Sequence, residues 1–309
     1  DRVFFTIGGN AANTSVTFGR QGFRTACASK TGIDVSGEEI RRRLEKEGVD
    51  TKFIAHSKTL PTGYSVLLLE ARGSQKGSLR GERTILSYHG TSNSFSLRDF
   101  SPKKLKSQWW YVSLSGKSDT MYGKLLRYAR RAGIVVAVNP TGHHIRHKRG
   151  EILRSFREVA FFVVNDEEAS LITGISFENP HAAFRKLDRA MPGILAVTQG
   201  RKGVAVSDGR FVYRAGIFPE KKLVDRTGAG DAFGSGFVAG LLRRGITKAT
   251  ISRVKPEDLE IRFYGQKNAW LDGEIGKLDL VNIAVQHGSV KRDESIKKQG
   301  ESQILLILC

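Results

Sequence analysis

The feature that most constrains the fold is an alternation of apolar runs and amphipathic segments along the middle of the chain. WWYVSL, IVVAVNP and AFFVV are continuous apolar runs, and helical patterns separate them. Such strands are buried on both faces, as in a parallel sheet that helices cover on each side. The alternation therefore predicts an α/β fold with a doubly wound, mostly parallel sheet.

The remaining patterns predict one domain over residues 1–309 with a small β-sheet lid. We expect about 3–7 and 63–89 to form this lid, because both contain β-rich runs and a polar, glycine-rich tip interrupts the second. Residues 247–279 mix lysine, proline, aspartate and glycine with isolated aromatic residues. We interpret them as an irregular insertion.

The net charge of +19 at pH 7 raises the question of nucleic-acid binding. The basic residues are dispersed in short pairs and triplets, without the interleaved aromatic residues on which bases stack. We therefore interpret the charge as solvated surface that attracts phosphorylated ligands, and we do not expect a nucleic-acid partner.

Cysteine content and hydropathy bear on the compartment. Cys27 and Cys309 are too few for a disulfide framework, which favours a reducing, cytoplasmic location. No apolar run approaches the roughly 18 residues of a membrane span, so no membrane interaction is expected. The terminal run QILLILC is short, and it is predicted to be a buried strand or a docked tail.

The stretch DRTGAGDAFGSGFVAGLL carries the first candidate site. Its small and apolar residues recur with a 3.6-residue period, which predicts a helix that begins near Asp231 and packs on the sheet. At the helix start, the N–H groups of Gly228, Ala229 and Gly230 can hold an oxyanion. Asp231 is then either a favourable charge at a helix N-terminus or a general base for an acceptor hydroxyl.

Three further turns have residue types suited to ligands. GGNAAN presents Asn10 and Asn13, whose amides can hydrogen-bond a polyhydroxy compound. Asn165 and Glu168 are three residues apart at the end of a strand, which suits either a water-mediated Mg²⁺ and phosphate contact or a capped helix. VTQGRKGV joins two strands by a glycine-bounded turn where a nucleotide ribose could rest.

The order and spacing of these motifs resemble the ribokinase-like carbohydrate kinases, also called the phosphofructokinase-B family. GGNAAN with GRQGF is similar to the N-terminal signature of that family, and DRTGAGDAFGSGFVAGLL is similar to its C-terminal one. VNDEEASLITG resembles its Asn-x-x-Glu motif, ERTILSYHGTSN resembles its lid strand, and VNP and VTQGRKGV complete the match. The resemblance covers about residues 1–245. It implies ATP as phosphoryl donor, Mg²⁺ as cofactor and a sugar or sugar-like alcohol as acceptor.

The resemblance also implies a role for each matching residue. Asp231 is the catalytic base, and Gly228, Ala229 and Gly230 form the anion hole. Gly9, Asn10 and Asn13 bind the acceptor, and Asn165 and Glu168 support Mg²⁺ and the phosphates. Thr198, Gly200 and Gly203 lie near the nucleotide. Asp225 and Thr227 resemble a monovalent-cation loop for K⁺.

Three further expectations come from the same resemblance. The first strand of the family, with a substrate-gripping aspartate, is expected to precede residue 1. VNIAVQHGSV is expected to contribute to the adenine pocket, and a homodimer is expected to form through the lid.

Two alternatives remain open. A nucleoside kinase of the same fold would need room for a base between the lid and residues 88–93. A non-catalytic descendant that binds nucleotides or nucleic acid is the other alternative, but such a binder has no need for a base at Asp231. A dinucleotide-binding dehydrogenase is disfavoured, because no G-x-G-x-x-G follows a strand with an acidic residue about 20 positions further on.

Overall fold

The computed structural model describes residues 5–69, 83–217 and 228–243, and the backbone of 304–308. Its strands are, in chain order, β1 (Arg24–Gly32), β2 (Val49–Ser57), β3 (Tyr64–Leu69), β4 (Arg83–Tyr88), β5 (Trp109–Val112), β6 (Val135–Val138), β7 (Phe161–Asn165), β8 (Ile194–Thr198), β9 (Val204–Ser207), β10 (Val212–Ala215) and β11 (Ile304–Leu308). Its helices are α1 (Asn10–Arg20), α2 (Val35–Lys46), α3 (Tyr122–Ala132), α4 (Gly142–Ser155), α5 (Asp166–Thr173), α6 (Pro180–Ala190) and α7 (Ala229–Arg243).

Within the described residues, nine strands form one sheet in the order β10-β9-β8-β7-β6-β5-β11-β1-β2. All neighbouring strands from β8 to β2 are parallel, whereas β9 and β10 add an antiparallel edge. This arrangement confirms the predicted mostly parallel α/β sheet.

Helices cover both faces of the sheet because its central strands are apolar on both sides. Trp109 and Tyr111 point into a core that α1 and α7 complete. Trp110 and Val112, the alternate residues of the same strand, join a second core with α3, α4, α5 and α6. The two cores account for the continuous apolar runs and confirm the doubly wound architecture.

A separate two-stranded sheet is formed by β3 and β4, which are antiparallel with Tyr64 opposite Tyr88. Its base is held by Thr62, whose backbone N–H and hydroxyl donate to the Asp34 carboxylate at 2.7 Å each. The Thr62 hydroxyl also accepts from the Gly32 N–H at 2.9 Å. Because Asp34 is the N-cap of α2, the small sheet is anchored to the main domain at a helix start.

Several sequence-based boundaries differ from the structure. Residues 5–7, predicted to be part of the lid, form no strand among the described residues, so the two-stranded sheet contains only the 63–89 hairpin. The sequence pattern predicts a helix over Glu151–Phe156, but α4 begins at Gly142, because Thr141 caps it by accepting the His144 N–H. The polar stretch HHIRHKRG gave no apolar period there, and a kink at Lys148 interrupts the helix.

Strand β2 was not predicted, because VDTKFIAHS contains charged residues that lie on the exposed edge of the sheet. The terminal run QILLILC was predicted to be a buried strand or a docked tail. It contains strand β11, which lies between β1 and β5.

Some predictions lie outside the described residues: the potassium loop with Asp225 and Thr227, the 247–279 insertion, and the adenine segment VNIAVQHGSV. In the described part of the chain, no helix has the length and apolarity needed to cross a bilayer.

Candidate active site

The central contact of the candidate site joins helices α1 and α7. The Asn13 side-chain amide donates a hydrogen bond to Oδ2 of Asp231 at 2.8 Å, although the two residues are 218 positions apart. Both side chains are buried, with 7% and 8% of their surface exposed. Burial raises the pKa of the Asp231 carboxyl to about 6, although the Asn13 hydrogen bond opposes this rise. A carboxyl with such a pKa can exchange a proton near neutral pH.

The first turn of α7 faces solvent in front of this carboxyl. Ala229 and Gly230 are exposed, whereas Asp231 behind them is buried. The Gly228 carbonyl accepts the first helical hydrogen bond, from Ala232 N–H at 2.9 Å. Because α7 begins at Ala229, the N–H groups of Ala229, Gly230 and Asp231 have no carbonyl partner inside this helix, which is the arrangement expected of the predicted anion site.

Gly228 must be a glycine for two reasons. Its φ of +79° is unfavourable for residues with a side chain, and a Cβ would lie 3.2 Å from the Asn13 amide nitrogen. The predicted anion hole and the buried hydrogen bond therefore depend on the same glycine.

Asn10 lies one turn before Asn13 on α1, at the helix start. Its amide donates to the Ser113 hydroxyl at 2.7 Å, and Ser113 follows β5 directly. Gly9 precedes the helix with a φ of +91°, which L side chains rarely adopt. Ser113 was not predicted as a site residue, since a single serine after an apolar strand gives no sequence signal of its own.

Asn165 and Glu168 form a complete capping box at the start of α5. The Asn165 side chain accepts the Glu168 N–H at 2.8 Å, and Glu168 Oε2 accepts the Asn165 N–H at 2.9 Å. Burial raises the pKa of Glu168 to about 7, and the nearby charges of Glu167 and Asp231 add to this effect. The capped helix, one of the two arrangements expected of these residues, is therefore present. Glu168 is also close enough to Asp231 for the charge of one carboxylate to affect the pKa of the other.

The nucleotide-side residues lie at the ends of β7 and β8. Thr198 is directly opposite Asn165 in the parallel register of these strands. Gly200 and Gly203 bound the turn that leads to β9, with φ values of +54° and +89°. A Cβ at Gly203 would collide with the Ala215 carbonyl oxygen, so the turn requires glycine at this position.

Asn165 and Thr198 therefore lie at the carboxyl ends of two parallel strands, and Asn10 reaches the same edge of the sheet through Ser113, which follows β5. In open α/β sheets this edge is where ligands bind. Asn139, which follows β6 and donates to the Val163 carbonyl at 3.0 Å, lies at the same edge and was missed as an individual residue. Its motif VNP was the signal that could have identified it.

Comparison with solved structures defines the class as a ribokinase-like fold. A fructokinase from Vibrio cholerae O395, solved with fructose, ADP and a calcium ion, matches with a TM-score of 0.62 at 22% identity. The match covers 81% of this chain and 82% of the fructokinase chain.

The sequence comparisons then give the family. The model of the pfkB family carbohydrate kinases matches residues 1–254, and the chain belongs to this family. It is 29% identical to a fructokinase from Klebsiella pneumoniae, over 79% of this chain and 80% of that protein. It is 25% identical to a nucleoside kinase from Methanothermobacter thermautotrophicus, over 76% and 72% of the two chains. The predicted class of enzyme, a carbohydrate-kinase phosphotransferase with an alcohol acceptor, is thereby confirmed.

Proposed function

We propose that this protein transfers the γ-phosphoryl group of ATP to a hydroxyl of a sugar or sugar-like compound, with Asp231 as the general base. The observation that carries the proposal is the buried Asn13–Asp231 hydrogen bond directly behind an exposed helix N-terminus. A base and an anion site in this order suit a reaction in which a hydroxyl loses a proton while a phosphoryl group gains charge stabilisation.

Asp231 accepts the proton in this mechanism. Among the described residues, Asn13 is the hydrogen-bond donor to the carboxylate, and it occupies Oδ2. Oδ1 is then the oxygen that accepts the proton of the attacking hydroxyl. Asn13 holds the carboxylate in place and favours its charged form, which keeps the base ionised at neutral pH.

The N–H groups of Gly228, Ala229 and Gly230 stabilise the charge on the transferred group. They lie in the first turn of α7 and the glycine before it, so they would be in place before a ligand arrives and little reorganisation would be needed during transfer. Most of the rate enhancement in phosphoryl transfer comes from such positioning and charge stabilisation.

Asn165 and Glu168 are suited to hold Mg²⁺ through water. Glu168 Oε2 is used in the capping box, but Oε1 has no hydrogen-bond partner among the described residues. Glu168 is half-buried, and the raised pKa of its carboxyl indicates a poorly solvated charge for which a divalent cation would compensate. When bound, Mg²⁺ would neutralise charge on the ATP phosphates. Thr198, Gly200 and Gly203 lie beside this position and would contact the nucleotide.

The acceptor would lie between the start of α1 and the two-stranded sheet. Gly9, Asn10 and Asn13 form one wall, and Ser113 extends it through its hydrogen bond to Asn10. The β3–β4 sheet would form the lid that excludes water from the reaction. A nucleoside acceptor is the second candidate, because a nucleoside kinase is among the relatives of this chain.

We also propose that two copies associate through the lid. One face of the β3–β4 sheet is apolar and exposed: it carries Tyr64, Val66, Leu68, Leu86 and Tyr88, each with at least 42% of its surface accessible. A contiguous face of this kind is typical of an interaction surface.

An acceptor screen tests the proposed function. ADP release from Mg·ATP is measured with sugars, sugar phosphates and nucleosides, and ATP hydrolysis without acceptor is the baseline. We expect one acceptor class to raise ADP release well above the baseline. If no compound does so, the transfer proposal fails, and the non-catalytic alternative gains support if the protein still binds ATP.

A further inference from the structure

Three side chains outside the candidate active site form a cluster with metal-binding chemistry. Asp119 belongs to a short 3₁₀ turn (Gly116–Met121) that follows β5, and His143 and His147 are one turn apart on α4. One ligand atom of each residue lies within 4.8 Å of the ligand atoms of the other two. Histidines at i and i+4 on one helix face are a known arrangement for binding a metal ion together.

The contact between His143 and Asp119 is incomplete as a hydrogen bond. Nδ1 of His143 lies 3.8 Å from Oδ2 of Asp119, which is beyond hydrogen-bond range. This nitrogen is buried and has no hydrogen-bond partner among the described residues. The Asp119 side chain is only 7% exposed, so water has little access to its carboxylate. An unpartnered buried nitrogen beside a buried carboxylate calls for a further group between them.

The separation of these two atoms suits a bound ion. Ligands at about 2.0–2.2 Å from a tetrahedral Zn²⁺ lie roughly 3.3–3.6 Å from each other. The observed 3.8 Å needs only a small adjustment to reach this range. A metal would thus replace the missing hydrogen bond without a rearrangement of the backbone.

His147 is oriented in a way that leaves a nitrogen available to a metal. Its Nδ1 lies 2.8 Å from the His143 carbonyl oxygen, so the ring donates through Nδ1–H. A histidine that donates one N–H to a carbonyl oxygen presents the other nitrogen as a lone-pair ligand. The His147 ring stacks on the His143 ring with centroids 4.0 Å apart, so both imidazoles lie on the same side of α4. One ring would rotate about its side-chain bonds to direct both lone pairs at the same ion.

We propose that Asp119, His143 and His147 bind a Zn²⁺ ion, with a water molecule or an outside ligand in the fourth position. Two imidazoles and one carboxylate suit zinc, whereas Mg²⁺ prefers oxygen ligands and keeps much of its water. The site is therefore distinct in chemistry from the Mg²⁺ position at Glu168.

The location of the cluster suggests what the ion does. It would connect the 116–121 turn to α4, two segments that follow neighbouring strands of the sheet. Gly116, at the start of this turn, approaches Asn93 so closely that a Cβ would collide with the asparagine side chain. His89, at the end of the two-stranded sheet, is also close enough to His143 to interact electrostatically. The ion would therefore stabilise the 116–121 turn and α4, which lie next to the end of the two-stranded sheet.

The proposal is tested by calorimetric titration of the full chain with ZnCl₂ in the absence of nucleotide, which itself chelates zinc. We expect one equivalent of Zn²⁺ to bind to the wild type. His147→Ala should weaken binding by at least about tenfold, since loss of even a hydrogen-bond partner of a ligand costs roughly 10–100-fold. His181→Ala is the matched control, because His181 is an exposed histidine on another helix, and it should leave zinc binding unchanged.

Arg146→Gln gives a change in the opposite direction. Arg146 lies near enough to His143 to oppose a cation there, so its neutralisation should tighten zinc binding. A variant that merely disturbs folding does not produce this gain. Co²⁺ in place of Zn²⁺ should give the visible absorption of a site with nitrogen and oxygen ligands, without the thiolate band that a cysteine ligand would add.

Several results would overturn the proposal. These are no zinc binding by the wild type, unchanged binding in His147→Ala, an equal loss in His181→Ala, or weaker binding in Arg146→Gln. Each would show that the three side chains form only a local polar cluster.

Discussion

Burial and a single hydrogen bond from Asn13 act in opposite directions on the charge state of the candidate base, Asp231. Burial raises the pKa of Asp231 to about 6, and the Asn13 amide limits the rise because it stabilises the carboxylate. Asn13 was predicted as an acceptor ligand from its motif, and the structure shows it with the base as its partner. Its proposed contribution to catalysis is therefore to position and ionise Asp231.

The pH dependence of kcat/KM follows from this contact. A base must be deprotonated, so activity should fall as the pH drops through about 6. In Asn13→Ala the carboxylate loses a donor, so the pKa of Asp231 rises and the acid limb should move to higher pH. Asn10→Ala, on the same helix, should weaken acceptor binding and leave the limb in place. An unchanged limb in Asn13→Ala would contradict this assignment.

Glu168 leads to a prediction about stability. Its pKa is about 7 in the folded protein and 4.5 in its ordinary environment. Stability from this group is therefore fully present below about 4.5 and is lost as the pH rises through about 7. Glu168 is half-buried, and Glu168→Gln removes its partly desolvated charge but keeps an acceptor for the capping box. Denaturant unfolding should show this variant gaining stability over the wild type at pH 8 and much less at pH 5.

The control for this comparison is Glu178→Gln, which changes an exposed glutamate before α6. It should not gain stability between the two pH values. A Glu168→Gln protein less stable than the wild type at pH 8 would show that the charged cap, and not its burial cost, dominates.

At the scale of elements, the two-stranded sheet depends on the Thr62 contacts. Thr62→Val removes the side-chain bond to Asp34 and leaves the Gly32 N–H without its acceptor. The cost should be about 1–3 kcal/mol of unfolding free energy. Because the lid orientation changes, the KM of the acceptor should rise more than that of ATP. Thr59→Val is the matched control at an exposed threonine. Equal changes in the KM values of the acceptor and ATP would show that the two-stranded sheet has no specific role in acceptor binding.

Element types were predictable where the local pattern is strong, and boundaries were not. The stripe of small residues predicted α7, and the β-rich runs predicted the hairpin, since both are encoded in neighbouring residues. The first half of α4 escaped prediction because its cap Thr141 and the following polar residues give no apolar period. The partnership of Asn13 with Asp231 depends on how α1 and α7 pack, which local sequence cannot specify.

At the scale of the whole molecule, the exposed apolar face of the lid leads us to predict a dimer of two copies of this chain. Val66→Lys or Leu86→Lys places a charge in the proposed interface, and sedimentation velocity should show a shift from dimer to monomer. Ile85 lies on the opposite face of the same sheet, so Ile85→Lys is the control and should leave the mass unchanged. A wild type that sediments as a monomer at all concentrations tested would contradict the proposed dimer.

The whole-molecule identity was recoverable from sequence because several separate motifs occur in one order. The proposed zinc site could not be recognised from the sequence, even though the H-x-x-x-H spacing at His143 and His147 is visible there. Its third member, Asp119, joins the histidines only because the 116–121 turn and α4 follow adjacent strands. A site that no family motif marks requires the fold before it can be identified.

The most direct test of the central claim is transfer of labelled γ-phosphoryl from ATP to the acceptor found in the screen, in the wild type and in Asp231→Asn. We predict that the label enters the acceptor with the wild type. In Asp231→Asn the rate should fall on the order of 10²–10⁴-fold while ATP affinity is retained, because the variant keeps the shape of the site and loses the base. Transfer at the wild-type rate by Asp231→Asn, or label found only in inorganic phosphate, would contradict the account.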